Sequence, residues 1–292
     1  MKSFLAIVLL RDVPFWTETP FMRWMRRLAL LAYLYAGFLM LLLWLEDRFL
    51  HPGWWTGKEH NPAPLGSQDV ELRLADGTLI DARWFAPTGW QPEDGAILHS
   101  HGNGGNHSWR DGQVELWRKR FKQAMLLYDY PGYGRSEGRP TEAGLYASGE
   151  AAYRWLIDTK KVRGEDILLL GESLGGAVAI ELARRHECRA VVTLGAFTSF
   201  PSMAQAKFPW LPVYWLVRNR MDNLEKIGAL RVPVFIQHGT LDGTVPYWMG
   251  ERLAAAAPPG SRFFRTEGGL HRHPTEDAFF KAVEEWLAGH AK

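Results

Sequence analysis

Hydrophobic and polar positions change their period several times along this chain, and each change predicts an element. Residues 69–74 alternate, the chain turns at Asp76-Gly77, and residues 79–85 return, the pattern of an antiparallel hairpin. Beyond it, short apolar runs take turns with stretches of helical spacing. Strands are expected at 96–100, 125–130, 167–170, 190–194, 234–238 and 262–266, and helices near 109–121, 142–158, 174–185, 247–257 and 275–288. This alternation predicts an α/β fold, a mostly parallel sheet with helices on both faces. Ligands of such sheets bind outside the C-terminal ends of the strands, so the loops that follow the strands are the place to look for chemistry.

Two segments depart from the pattern. Residues 28–45 form an uncharged apolar run of about 18 residues, long enough to cross a bilayer as a helix. Arg23, Arg26 and Arg27 precede it and Glu46, Asp47 and Arg48 follow, a bias that puts the N-terminus in the cytoplasm and the rest outside it. Trp24 at one end and Trp44, Trp54 and Trp55 at the other fit interfacial anchors. A cleaved signal peptide and a buried soluble helix are the alternatives, although no small-x-small cleavage site follows the run. The organisation expected is a cytoplasmic segment 1–27, a transmembrane signal anchor 28–45, a linker 46–66 and a folded domain 67–290. The second departure is 200–230, too long for an ordinary connection. Phe208, Trp210, Leu211, Tyr214, Trp215 and Leu216 make it aromatic and apolar, and Pro201, Pro209 and Pro212 break it.

Candidate chemistry lies in the loops. Gly171-Glu172-Ser173-Leu174-Gly175 joins the strand 167–170 to the helix 174–185. A serine at such a tight strand-to-helix turn has its hydroxyl pushed into a cleft, with the first N–H groups of the helix aimed at the same place. A second match, Gly134-Arg135-Ser136-Glu137-Gly138, lies between Pro131 and Pro140, where no helix can begin, so Ser136 reads as a loop residue. A serine nucleophile needs a base, and the base an orienting acid. Asp242 falls just past the strand 234–238, and His271 falls in the glycine-rich loop Glu267-Gly268-Gly269-Leu270-His271. His273 stands close enough to compete for the role of base, and Asp222 is an alternative acid that does not follow a strand. An acyl-transfer site must also hold an oxyanion, usually with backbone N–H groups. Leu174, after the serine, supplies one; Asn103, in the loop His101-Gly102-Asn103-Gly104-Gly105-Asn106, is the candidate for the other.

The segments SHGNGGN, LLYDYPGYGRSEGRPTE, LLLGESLGG, FIQHGTLDGTVP and GGLH, in this order, resemble the α/β-hydrolase superfamily, and within it the membrane-anchored, serine aminopeptidase-like hydrolase-domain proteins. The likeness runs over residues 67–288. It implies Ser173 as nucleophile, Asp242 as acid, His271 as base and Asn103 with Leu174 as oxyanion donors. Leu270 and Arg272 depart from the small residue and the Asn or Asp that flank the histidine in relatives. In this superfamily an insertion at 200–230 forms a cap over the cleft; ordinary packing of short helices is the other reading.

Composition narrows the field. A hydrophobic content of 47% with 23% charged residues suits a globular core plus a membrane segment, and a net charge of +2 without a basic stripe argues against nucleic acid as partner. The single cysteine, Cys188, excludes an internal disulfide. The expected activity is hydrolysis of an ester or thioester in a small-molecule or lipid-like acyl substrate, with no metal or organic cofactor required. Three other classes stay open. A peptidase would use the same triad. A metallohydrolase would use the pairs His99/His101 and His271/His273, although the Asp and His that a dinuclear site needs do not follow the first pair. A catalytically silent, membrane-tethered interaction domain would keep the scaffold alone. The oligomeric state is not legible.

Overall fold

The computed structural model describes residues 19–290 and divides the chain into two units, Met1–Phe49 and Leu50–Lys292. The first unit is dominated by a helix, α1 (Pro20–Leu50), of 31 residues. Thr19 caps its start by accepting a hydrogen bond from the Met22 N–H at 3.3 Å, and Pro20 occupies the first helical position, where its missing N–H costs nothing. The helix is longer at both ends than the apolar run 28–45. None of its most apolar 18-residue window is buried, and Leu30, Leu31, Leu34 and Trp44 are all exposed. This is not the environment of a soluble core helix; length and composition fit a membrane span or a signal sequence.

The second unit is an eight-stranded sheet. Its strands are β1 (Ser67–Arg73), β2 (Leu79–Phe85), β3 (Ala96–Ser100), β4 (Ala124–Tyr128), β5 (Ile167–Glu172), β6 (Ala190–Leu194), β7 (Val234–Gly239) and β8 (Arg262–Thr266). The spatial order is β1-β2-β4-β3-β5-β6-β7-β8. The β1–β2 and β2–β4 pairs are antiparallel and all others parallel. The principal helices are α2 (Asp111–Arg120), α3 (Glu142–Asp158), α4 (Leu174–Arg185), α5 (Tyr247–Ala256) and α6 (Asp277–Ala288). Alternate residues of the central strands feed two cores, which is why those strands read as unbroken apolar runs. Leu98, Leu126, Leu169, Val191 and Ile236 pack with α3 and α4 on one face. Ile97, Met125, Leu168, Val192 and Phe235 pack with Trp117 of α2 and with Phe279, Phe280 and Trp286 of α6 on the other. The chain leaves β3 toward β4 on one side and returns to β5 on the other. The crevice between the loops after β3 and β5 is therefore the topological switch point of the sheet, the expected binding position.

Two details are added to the expected linker, 46–66. Residues 51–61 are stitched onto the sheet unit: Lys58 Nζ donates to the Gly132 carbonyl at 2.5 Å, and Asn61 N–H to Ser108 Oγ at 2.8 Å. Trp54 does not serve as a free interfacial anchor; it packs against the core, close enough that a Cβ on Gly132 would meet its ring at 2.7 Å. This strap is held by hydrogen bonds between loop and loop, which leave no hydrophobic period in the sequence. Segment 200–230 forms three short helices, Phe200–Lys207, Val213–Leu216 and Asn223–Ile227. Phe200, Leu211, Met221 and Ile227 are buried under it, while Phe208, Trp210 and Trp215 are exposed.

Candidate active site

Ser173 sits between β5 and α4 with φ 51° and ψ −110°, a conformation rarely tolerated by a residue with a side chain. Strain of this kind costs on the order of 1–3 kcal/mol and persists only where the surroundings enforce it. The enforcement is visible. The Ser173 N–H donates to the Leu194 carbonyl of β6 at 2.8 Å. A Cβ on Gly171 would meet Gly176 Cα at 2.6 Å, and one on Gly175 would run into the Ser100 carbonyl of β3. Glycine at both flanks is what lets strand, turn and helix close this tightly.

The structure brings Ser173, His271 and Asp242 together from three separate loops. His271 Nε2 lies 3.0 Å from Ser173 Oγ, and His271 Nδ1 lies 2.6 Å from Asp242 Oδ2. With the Nδ1 proton directed at the carboxylate, Nε2 is the acceptor for the serine hydroxyl. Asp242 is itself fixed: its Oδ1 accepts from the Thr244 and Val245 N–H groups, each at 2.8 Å. Burial alone would raise the Asp242 carboxyl, but its contacts with His238 and His271 and the Val245 N–H outweigh that and hold it below the ordinary carboxylate range. His238, at the end of β7, is buried; its Nε2 lies 3.4 Å from Asp242 Oδ2 and 3.0 Å from the Val245 carbonyl. Sequence reading treated His238 as part of a strand and missed this contact. The only signal was its position four residues before Asp242, on the same strand-to-loop exit.

The loop after β3 lies against the serine: a Cβ on Gly102 would touch Ser173 Cβ at 3.6 Å. Among the described residues neither the Asn103 N–H nor the Leu174 N–H donates a hydrogen bond. Beneath this loop His101 Nδ1 reaches its neighbour's carbonyl on Gly102 at 2.7 Å, and His101 Nε2 lies 3.2 Å from the buried Asp129. Asp129, in the loop after β4, is a second residue that sequence reading passed over.

The competing residues are placed elsewhere. His273 accepts from Trp117 Nε1 at 2.9 Å and directs Nδ1 at the Pro274 carbonyl at 2.8 Å, so both its nitrogens are engaged. Burial lowers its pKa. Ser136 is buried and its Oγ accepts from the Asp81 N–H of β2 at 2.9 Å. Asp222 pairs with Arg220 at 3.0 Å. His99, His101, His271 and His273 do not assemble into a group of ligands. Among the described residues the one cluster of ligand atoms within 4.8 Å of one another is His60, Asp81 and His107. Arg135 already binds Asp81 twice, at 3.0 Å each, and Arg83 lies 3.1 Å from His60, so that cluster is neutralised by guanidinium groups and does not suit a cation. The pocket beside His271 is bordered by Glu172, Leu194, Gly195, Asp242, Leu270 and Arg272, and by no residue of 200–230.

A strained serine turn at the switch point of a mostly parallel sheet fits one class, and the chain belongs to it: the alpha/beta hydrolase family model matches residues 97–287. The uncharacterized protein Rv2307c of Mycobacterium tuberculosis is 35% identical over 211 residues, 72% of this chain and 74% of that protein. The uncharacterized protein YfhR of Escherichia coli K12 is 28% identical over 223 residues, 73% and 76% of the two chains. Among solved structures the esterase Pf2001 of Pyrococcus furiosus superposes with a TM-score of 0.65 at 19% identity, covering 80% of this chain and 98% of that one. An alpha-beta hydrolase of Vibrio vulnificus gives 0.67 at 16% identity, covering 84% and 92%. At these identities the structural likeness is one of fold.

Proposed function

We propose that this protein is a serine hydrolase that cleaves carboxylic ester or thioester bonds through Ser173, His271 and Asp242. The observation that carries the reading is the continuous relay of 3.0 Å and 2.6 Å from a strained serine through an imidazole to a buried carboxylate. Ser173 Oγ attacks the acyl carbon as its proton passes to His271 Nε2, and the carbonyl π electrons move onto oxygen. The N–H groups of Asn103 and Leu174 hold that oxyanion. Collapse breaks the bond to the leaving alcohol or thiol, which takes the proton from His271, and leaves an acyl-serine. Water, deprotonated by His271, releases the acid and restores the serine. Asp242 stays ionised and stabilises the imidazolium that forms.

An ester reading is supported by the fold likeness to the Pf2001 esterase. A lipid-like acyl substrate is supported by α1, whose uncovered apolar surface suits a membrane tether with residues 1–27 in the cytoplasm and the hydrolase, residues 67–290, on the extracytoplasmic side. Phe208, Trp210 and Trp215 of 200–230 do not border the pocket beside His271, but their exposed rings offer apolar surface to the distal part of such acyl chains, the role of a cap. The test is hydrolysis of a short-chain aryl ester by the full chain in detergent micelles, beside Ser173→Ala, with fluorophosphonate labelling of both. Turnover is expected to fall by about 10⁴–10⁶ in Ser173→Ala, with labelling lost. Equal turnover in the two proteins would discard the reading. Faster cleavage of a matched peptide amide than of the ester would move the assignment to a peptidase.

A further inference from the structure

Asn103 is pinned at three of its four polar groups. Its carbonyl accepts from the Gly53 N–H at 3.1 Å, its side-chain Nδ2 donates to the Leu50 carbonyl, and its side-chain Oδ1 accepts from the Tyr133 hydroxyl at 2.5 Å. The remaining group is the backbone N–H. Two of the three partners are Leu50, the last residue of α1, and Gly53, just beyond it, and the fit there is close: a Cβ on Gly53 would meet the Asn103 carbonyl at 2.8 Å and overlap the Tyr133 ring. The same stretch follows the loop onward. A Cβ on Gly57 would meet Gly105 Cα at 2.6 Å, and Asn106 Nδ2 donates to the carbonyls of Gly57 at 2.9 Å and Glu59 at 2.7 Å.

We infer that Leu50–Gly57 is a positioning element of the oxyanion site, in which Gly53, the Leu50 carbonyl and Tyr133 fix Asn103 so that its backbone N–H is held for the substrate oxygen. The inference rests on the serine hydrolase reading above. A loop rich in glycine, Gly102, Gly104 and Gly105, has no stiffness of its own. An oxyanion donor is useful only when its position is set before the reaction, because reorganisation during the reaction would cost what the hydrogen bond supplies. The strap provides that rigidity from outside the loop. It also ties catalytic geometry to the segment that immediately follows the apolar helix. None of the three groups touches the reacting atoms; they act through Asn103.

The test compares Tyr133→Phe and Gly53→Ala with the parent in the full chain in detergent micelles. For each we would measure kcat and KM on an aryl ester, affinity for an aryl trifluoromethyl ketone, which forms a hemiketal oxyanion on the serine, and melting temperature. Loss of an entire oxyanion donor costs roughly 10²–10³ in kcat, so loosening one is expected to cost about 5- to 50-fold. KM should stay within about twofold, and ketone affinity should fall by the same factor as kcat. A merely structural strap would lower the melting temperature and the folded fraction while leaving ketone affinity per folded site at the parent value; that result overturns the inference. Should Gly53→Ala fail to fold, Tyr133→Phe, which removes one oxygen and no volume of the ring, decides alone. Full activity of Ser173→Ala would instead remove the underlying reading, which keeps the two failures distinguishable.

Discussion

Two pentapeptides of this chain carry the same letters, Gly-x-Ser-x-Gly, and the structure uses them in opposite ways. At Gly171–Gly175 the serine takes the positive φ, 51°, and its glycines are there because strand and helix leave no room for a side chain. At Gly134–Gly138 the glycines take the positive φ values, 50° and 83°, and the serine between them is unstrained. The first arrangement projects an oxygen toward His271. The second turns its oxygen inward to the Asp81 N–H of β2, while Glu137 N–H donates to the Leu79 carbonyl at 2.9 Å, so the loop clasps the start of that strand. The lesson is that the motif is a statement about which residue bears the backbone strain. Strain on the serine turns its hydroxyl toward an imidazole; strain on the glycines makes a turn.

The strongest way to break this contrast is to disturb the elbow's surroundings and leave the elbow alone. In Asp242→Asn the two backbone donors, Thr244 and Val245, keep the amide oxygen at the Oδ1 position. The amide NH₂ then faces His271 and can only donate, so His271 must accept at Nδ1 and carry its proton on Nε2. That tautomer cannot take a proton from Ser173. Turnover of the aryl ester is expected to fall by about 10⁴ with the fold intact, as loss of the correct tautomer does in comparable triads. A loss under tenfold, measured beside an unchanged circular dichroism spectrum, would mean that the relay geometry does not carry the reaction.

How much of this was legible beforehand follows from what each feature is made of. The sheet and its helices were readable because apolar periods are local, and every strand from β3 to β8 falls within a residue or two of the run that announced it. Ser173, Asp242 and His271 could be listed as candidates because each follows a strand end, and strand ends converge in this topology. His238, Asp129 and the strap 51–61 were not legible. His238 and Asp129 sit at strand exits as ordinary polar residues would, and their partners, Asp242 and His101, are fixed only by tertiary packing. Trp54 was assigned to a membrane interface by nearness in sequence to the apolar run, whereas its partner, Gly132, is far along the chain. Telling His271 from His273 also needed three dimensions, because both stand in one loop: His271 meets Ser173 and Asp242, while His273 meets Trp117 and the Pro274 carbonyl.

The second pentapeptide is tested by stability. Ser136→Ala leaves the buried Asp81 N–H without its acceptor, which costs about 1–3 kcal/mol. For a domain of this size that corresponds to a fall of roughly 2–10 °C in melting temperature. Turnover per folded molecule should match the parent, since Ser136 touches none of the groups around Ser173. A Ser136→Ala protein that melts normally and loses turnover would reverse the assignment of the two serines.

The smallest expected effect concerns what holds the helix that grows from the elbow. Glu181 on α4 is nearly buried; its Oε1 accepts from Arg184 and Arg185 at 2.7 Å each, and its Oε2 lies 2.9 Å from Lys226 Nζ of the 200–230 segment. Burial pushes this carboxyl up, but the contacts with Arg184, Lys226 and Arg185 outweigh it and bring its pKa to about 2 from an ordinary 4.5. The sign follows directly. A carboxyl with a depressed pKa in the folded state stabilises fully above its unfolded value and loses that contribution as the pH falls through the folded one. The stability gap between the parent and Glu181→Gln is therefore expected to be widest above pH 4.5 and to close toward pH 2. Comparing the gap is necessary because Asp81 and Asp242 are depressed too and weaken both proteins in acid alike. Thermal melts of the pair at pH 6, 4 and 3 read it directly. A gap independent of pH would mean that Glu181 supports α4 by its shape and not by its charge, and that this helix owes nothing to the ion pair with Lys226 of the 200–230 segment.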